Sequence, residues 1–88
     1  MKPELYILQM SNNQFYIGST PDFARRYIEH QNRKVTSTKG KLPVEVVFRK
    51  EFDTLKEARQ VEYKLKTYKN KNIIQQIIKD QLIRFLGS

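Results

Sequence analysis

The chain has 88 residues, the length of a single domain spanning residues 1–88, and only 39% of them are hydrophobic, so the core must be thin and must recruit most of the larger apolar side chains. Seventeen Lys and Arg against nine Asp and Glu leave a formal charge of +8, and five Tyr and five Phe are interleaved with the basic residues; this favours a nucleic-acid partner over a merely solvated surface. The lack of cysteine excludes disulfides, thiolate catalysis and Cys-ligated metal sites, and no apolar run has signal-peptide or membrane-spanning length, which points to a cytoplasmic protein with no membrane partner.

Leu5 to Met10 is a short apolar run, Ser11-Asn12-Asn13 is a turn cluster, and Gln14 to Gly18 is a second run rich in aromatic and β-branched residues. Together they predict a β-hairpin. Tyr6 and Tyr16 share a face if the loop has three residues and lie on opposite faces if it has two; the sequence leaves both open. Ser19-Thr20-Pro21-Asp22 predicts a helix start, with Thr20 as cap, Pro21 in the first position and Asp22 complementing the positive end. The helix should run to about Asn32, with Phe23, Ala24, Tyr27 and Ile28 as its apolar face and Arg26 and His30 one turn apart at the edge. The polar, basic segment 31–42 reads as a mobile loop.

Pro43 leads into a third strand over Val44 to Phe52, in which Val44, Val46 and Phe48 alternate with Glu45, Val47 and Arg49. Thr54-Leu55-Lys56-Glu57 is a capping box and opens a second helix carrying Leu55, Ala58, Val61, Leu65 and Tyr68 at helical spacing. A third helix is expected from about Lys71 to Phe85, with Ile73, Ile74, Ile77, Ile78, Leu82 and Phe85 as its stripe. The order is β-β-α-β-α-α, an α+β chain whose sheet is covered by helices.

Glu62 lies about 40° from Ala58 and about 60° from Leu65 around the second helix, inside its apolar arc. A carboxylate there needs a partner: a salt bridge to one of the many cations, or a hard divalent metal such as Mg²⁺. Arg26 with His30 offers a planar fork for phosphate oxygens and a group that titrates near neutral pH. Tyr6 and Tyr16 are core residues with bonded hydroxyls or, beside a cation or base, participants in proton transfer. Gly18 leaves room for a close approach by backbone or phosphate. Lys39 and Lys41 in the basic segment, with the run Lys64, Lys66, Lys69 and Lys71, are either a solvated charged face or phosphate contacts along a nucleic-acid backbone. There is no Walker loop, HExxH, nucleophile elbow or dinucleotide fingerprint.

Taken in order, these features resemble the GIY-YIG nuclease superfamily, above all its small stand-alone bacterial members. Leu5-Tyr6-Ile7-Leu8 is similar to the first motif, without its glycine, and Tyr16-Ile17-Gly18 is the second motif intact. Ser19-Thr20-x-Asp22-Phe23, with Arg26 and His30 following at family spacing, resembles the third segment, and Ala58-x-x-x-Glu62-x-x-x-Lys66 resembles the helix that supplies the metal ligand. The resemblance spans Leu5 to about Ile78. It implies a three-stranded antiparallel sheet flanked by helices and a one-metal endonuclease acting on DNA rather than RNA, in repair or recombination. Glu62 would hold Mg²⁺ or Mn²⁺, Tyr6 or Tyr16 would serve as base, Arg26 would stabilise developing charge, and His30 would orient water or tyrosine. Two other readings stand beside it. One is a non-catalytic nucleic-acid-binding module of the same fold. The other, compatible with either, is a monomer passing into a weak homodimer through the isoleucine-rich last helix.

Overall fold

In the computed structural model, which describes residues 1–68 and 70–83, the consecutive side chains of Leu5, Tyr6, Ile7 and Leu8 are at most 1% exposed. A strand buried on both faces has no polar side, which is why this stretch reads as an unbroken apolar run. It forms β1 (Glu4–Gln9), the centre of a three-stranded antiparallel sheet whose edges are β2 (Phe15–Thr20) and β3 (Glu45–Glu51). On one face, α2 (Leu55–Tyr68) and α3 (Lys71–Asp80) pack on Leu5, Ile7, Ile17 and Phe48 through Val61, Leu65, Ile74 and Ile77. On the other, α1 (Phe23–Gln31) sets Phe23 against Tyr6, Leu8 and Val44. Burial of each such Leu, Ile or Phe contributes roughly 1.5–3 kcal/mol. The expected α+β order is therefore the observed one.

The hairpin loop has three residues. Met10 N–H donates to Gln14 O at 2.8 Å, Asn13 N–H donates to Met10 O, and Asn13 takes φ 66°, a left-handed conformation that asparagine tolerates. The resulting register pairs Tyr6 with Gly18 and Leu8 with Tyr16, so the two tyrosines share a face.

Four local expectations are corrected. The cap of α1 is Asp22, whose side chain accepts from Arg25 N–H; Thr20 Oγ1 instead accepts from Asp22 N–H and leaves Pro21 ahead of the cap. Ala24 and Ile28 are exposed, because α1 turns Phe23 and His30 inward, with Arg26 and Tyr27 half-buried beside them. The segment 31–42 is anchored: Val35 and Thr38 are buried, and Ser11 N–H donates to Lys41 O. Helix α3 stops at Asp80, where Gln81 adopts a left-handed cap; Phe85 lies outside the described residues. Ile74 and Ile77 are buried and Ile73 and Ile78 pack on them, so the chain's own core uses the stripe considered for a dimer.

β3 departs from simple alternation. A bulge between Ile7 and Leu8 of the partner strand pairs Ile7 with Phe48 but Leu8 with Val46. Phe48 and Val47 therefore face the α2–α3 core, while Val44 and Val46 face α1. The Val47 carbonyl beside the bulge accepts from Gln81 Nε2 at 3.1 Å, a side-chain bond at a point where the ladder is interrupted. The expected single face of Val44, Val46 and Phe48 is split by this extra residue.

Candidate active site

The α1 face of the sheet gathers four of the predicted site residues. Tyr6 comes from β1, Tyr16 from the neighbouring position of β2, and Arg26 and His30 from successive turns of α1. The Tyr16 and His30 rings are 5.0 Å apart and nearly perpendicular, and Tyr6 lies 6.2 Å from Tyr16 and 5.4 Å from Phe23. Edge-to-face contacts of this kind hold each ring in one orientation.

His30 is wholly buried, and its two nitrogens are both engaged. Nε2 lies 2.9 Å from the Tyr6 hydroxyl and Nδ1 lies 2.8 Å from Thr38 Oγ1. Two neutral arrangements satisfy both contacts: Tyr6 donates to Nε2 while Nδ1–H donates to Thr38 Oγ1, or Thr38 donates to Nδ1 while Nε2–H donates to the Tyr6 oxygen. In either, the ring is held between Tyr6 and Thr38, whose Oγ1 lies a further 3.5 Å from the Val35 carbonyl.

Electrostatics favours the neutral ring. Burial, followed by the charge of Arg26, lowers the His30 pKa to about 4, with Glu29 offsetting part of the shift. Burial also pushes the Tyr6 hydroxyl above its ordinary range, while Arg26 pulls the other way. Arg26 is held more firmly protonated than usual, mainly through hydrogen bonding with Tyr6, with further help from Glu29 and Tyr16. A 3.0 Å ion pair to Glu29 Oε1 fixes the guanidinium from the other side.

The neutral state of His30 has a measurable consequence. The unfolded chain takes up a proton near pH 6.5, and the folded protein refuses it until about pH 4. This contribution is complete above pH 6.5 and is lost as the pH falls towards 4, by about 3 kcal/mol in total. Urea denaturation between pH 7.5 and 4 should show that loss in the wild type, and His30→Gln should remove this component while the carboxylate background remains. Parallel pH dependences for the two proteins would contradict a buried neutral His30.

Gly18 is buried directly across from Tyr6, and a Cβ built on it would stand 2.5 Å from both Cζ and the hydroxyl oxygen of that ring. On this face the close approach that Gly18 permits is made by the Tyr6 ring.

Glu62 does not join this cluster by any hydrogen bond; it sits on α2, against the opposite face of the same edge strand. Its Oε1 accepts from the Ser19 hydroxyl and its Oε2 lies 2.6 Å from Lys66 Nζ, with the Glu62 side chain 20% exposed. Both readings from the sequence are thus touched: the carboxylate has a salt bridge, but one that reaches into solvent. Lys66 is engaged with Glu62, Lys39 is exposed and Lys41 half-buried on the segment that carries Thr38, and Lys69 lies outside the described residues. The spacing-based reading did not single out Thr38, Ser19 or Glu29 as partners. Glu29, three residues after Arg26 on a helix, carried a spacing signal; Ser19 was read as part of a helix start, and Thr38 sits in an aperiodic loop with no signal.

Among the described residues there is no group of three or more His, Cys, Asp or Glu side chains, and no helix is long and apolar enough to cross a membrane.

Comparison with known proteins bears on the family and the fold. The model of the GIY-YIG catalytic domain matches residues 2–75. A UPF0213 protein of Staphylococcus saprophyticus is 35% identical over 68 residues, covering 76% of this chain and 83% of the relative. The UPF0213 protein YazA of Bacillus subtilis is 37% identical over 62 residues, covering 69% and 63%. The solution NMR structure of the UPF0213 protein BH0048 from Bacillus halodurans superposes with a TM-score of 0.61 at 27% identity, covering 97% of this chain and 90% of that one. With Tyr6, Tyr16, Arg26 and His30 converging on one sheet face and the domain match running through Glu62, the chain belongs to the GIY-YIG family.

Proposed function

We propose that the protein is a divalent-metal-dependent endonuclease that hydrolyses phosphodiester bonds, in DNA before RNA, working as a single cytoplasmic domain in repair or recombination. The observation that supports this reading is the cluster of Tyr6, Tyr16 and His30 on the α1 face of the sheet, with Arg26 one helical turn from His30 and a partly exposed carboxylate against the opposite face of the same edge strand.

Glu62 fits a particular kind of cation. A lone carboxylate suits Mg²⁺ or Mn²⁺, which keep most of their water and take further oxygens from phosphate; it does not suit an ion that needs a protein cage. A metal there would take the place of the Lys66 ammonium on Oε2, while the Ser19 hydroxyl orients Oε1. Bound there, the metal would polarise a phosphoryl oxygen and ease ionisation of water.

The remaining roles follow from exposure. Tyr6 is sealed, and its hydroxyl is taken up by a hydrogen bond with His30, so it is a positioning residue. Tyr16 is half-buried and is the tyrosine that solvent or substrate can touch, so we assign it the proton-accepting role. Arg26 stabilises charge developing on the phosphoryl oxygens. Neutral His30 and Thr38 keep Tyr6 and Tyr16 in register.

The test is a cleavage panel of single-stranded, duplex and branched DNA and of RNA, with Mg²⁺ and with Mn²⁺. Arg26→Ala should slow cleavage by on the order of 10²- to 10³-fold. Salt-sensitive binding without any metal-dependent product would replace this reading with that of a non-catalytic binding module.

A further inference from the structure

Between β2 and the α2–α3 junction lies a cleft of about 300 Å³. Its floor is apolar, made by Phe15, Ile17, Leu65 and Ile74, and its lysines are Lys66 and Lys71. Lys66 joins it to the Glu62 carboxylate. The Lys71 ammonium lies over the Phe15 ring, 5.7 Å from its centroid, and because Lys71 is an exposed, flexible side chain it can leave that face for a phosphate and open the ring to a flat partner. Gln14 and Asn70 also line the cleft; their side-chain oxygens accept from Asn12 and from the Asn72 N–H, which leaves their amide N–H groups to donate. Among the described residues no acidic side chain lines it.

An aromatic face, an apolar floor, amide donors and two cations together match a planar nucleobase with its phosphate. A lipid or an apolar peptide would have no use for the lysines and amides, and a bare anion would have no use for the ring. We propose that this cleft is a subsite for one unpaired nucleobase of the bound strand, stacked on Phe15 with its flanking phosphate on Lys71. The proposal rests on the nucleic-acid part of the reading above and not on hydrolysis. A base enters only from a single strand or a frayed or flipped position, since a paired and stacked base has neither face nor edge to offer.

Binding of a short oligothymidylate is to be compared with binding of the same backbone in which every base is replaced by tetrahydrofuran, by fluorescence anisotropy in EDTA. The wild type should prefer the base-bearing strand by roughly 5- to 150-fold, the range for stacking one base on an aromatic ring. Phe15→Leu should bind both strands with the affinity of the baseless one, and Phe15→Tyr should keep the preference. Lys71→Ala should weaken both strands by the same factor. Equal affinity of the wild type for the two strands, or a preference that survives in folded Phe15→Leu, overturns the proposal. Because the chelator removes any metal-dependent step, a base preference without cleavage in the earlier panel would sink the nuclease reading and leave the subsite standing.

Discussion

Glu62→Gln is expected to lower metal-dependent cleavage by at least about 10³-fold while the melting temperature moves by no more than a few degrees. The amide keeps the shape of the side chain and can still accept from Ser19, so the packing of α2 on β2 is undisturbed. What it loses is the negative charge. The i,i+4 pair with Lys66, whose own side chain is 52% exposed, contributes only about 0.3–0.5 kcal/mol to stability at such a site. A structural carboxylate would show the opposite pattern, with stability and activity falling together. Calorimetric melting beside single-turnover cleavage separates the two cases. Undiminished cleavage by a folded Glu62→Gln protein would end the one-metal reading.

The second large effect concerns a residue that touches no substrate in this reading. Gly18→Ala should cost several kcal/mol, much of the stability that a domain of this size possesses. The new methyl carbon would meet Tyr6 at 2.5 Å on Cζ and on the hydroxyl oxygen. Such a clash is cheap only when the neighbour can swing away, and this ring is buried, edge-on to Phe23 and hydrogen-bonded to His30. If Tyr6 moves, the buried Nε2 of His30 loses its hydrogen-bond partner, adding about 1–3 kcal/mol. Gly40→Ala is the control, since nothing lies within 4 Å of a Cβ there, and it should shift stability by a few tenths of a kcal/mol. Comparable urea midpoints for the two variants would show that Tyr6 is not confined as described.

The features that could be read from the sequence were the local ones. The capping box forms as written, with Glu57 N–H donating to Thr54 Oγ1 and Thr54 N–H donating to Glu57 Oε1, because its four residues need only each other. The spacing of Tyr16, Arg26 and His30 assigned each of them to the element it occupies, because a strand followed by a helix start carries its side chains to predictable positions. What stayed hidden depends on partners distant in sequence. Gly18 announced a close approach, but only the β1–β2 register shows that Tyr6 makes it. Thr38 sits in a polar segment with no period, and its role follows only from where His30 points. Thr20 and Asp22 are both good caps by residue type, and the choice between them is made by the backbone's exit from β2. Glu62 was marked by its place in an apolar arc; its partner Ser19, 43 residues earlier, was not.

The bulge opposite Ile7 and Leu8 has a consequence for how small such a molecule can be. A three-stranded sheet has one central strand, and its two edges must between them roof two separate interiors. A strictly alternating edge would spend every large side chain of Val44, Val46 and Phe48 on a single interior. By slipping one residue, a seven-residue strand contributes Phe48 to one and Val44 and Val46 to the other. The same slip leaves Arg49 on the α1 side, where it forks onto both Glu4 carboxylate oxygens at 2.8 Å and covers the Phe23 ring at 4.0 Å. One surplus residue thus does the work of an additional strand, and fewer than ninety residues suffice to enclose two interiors.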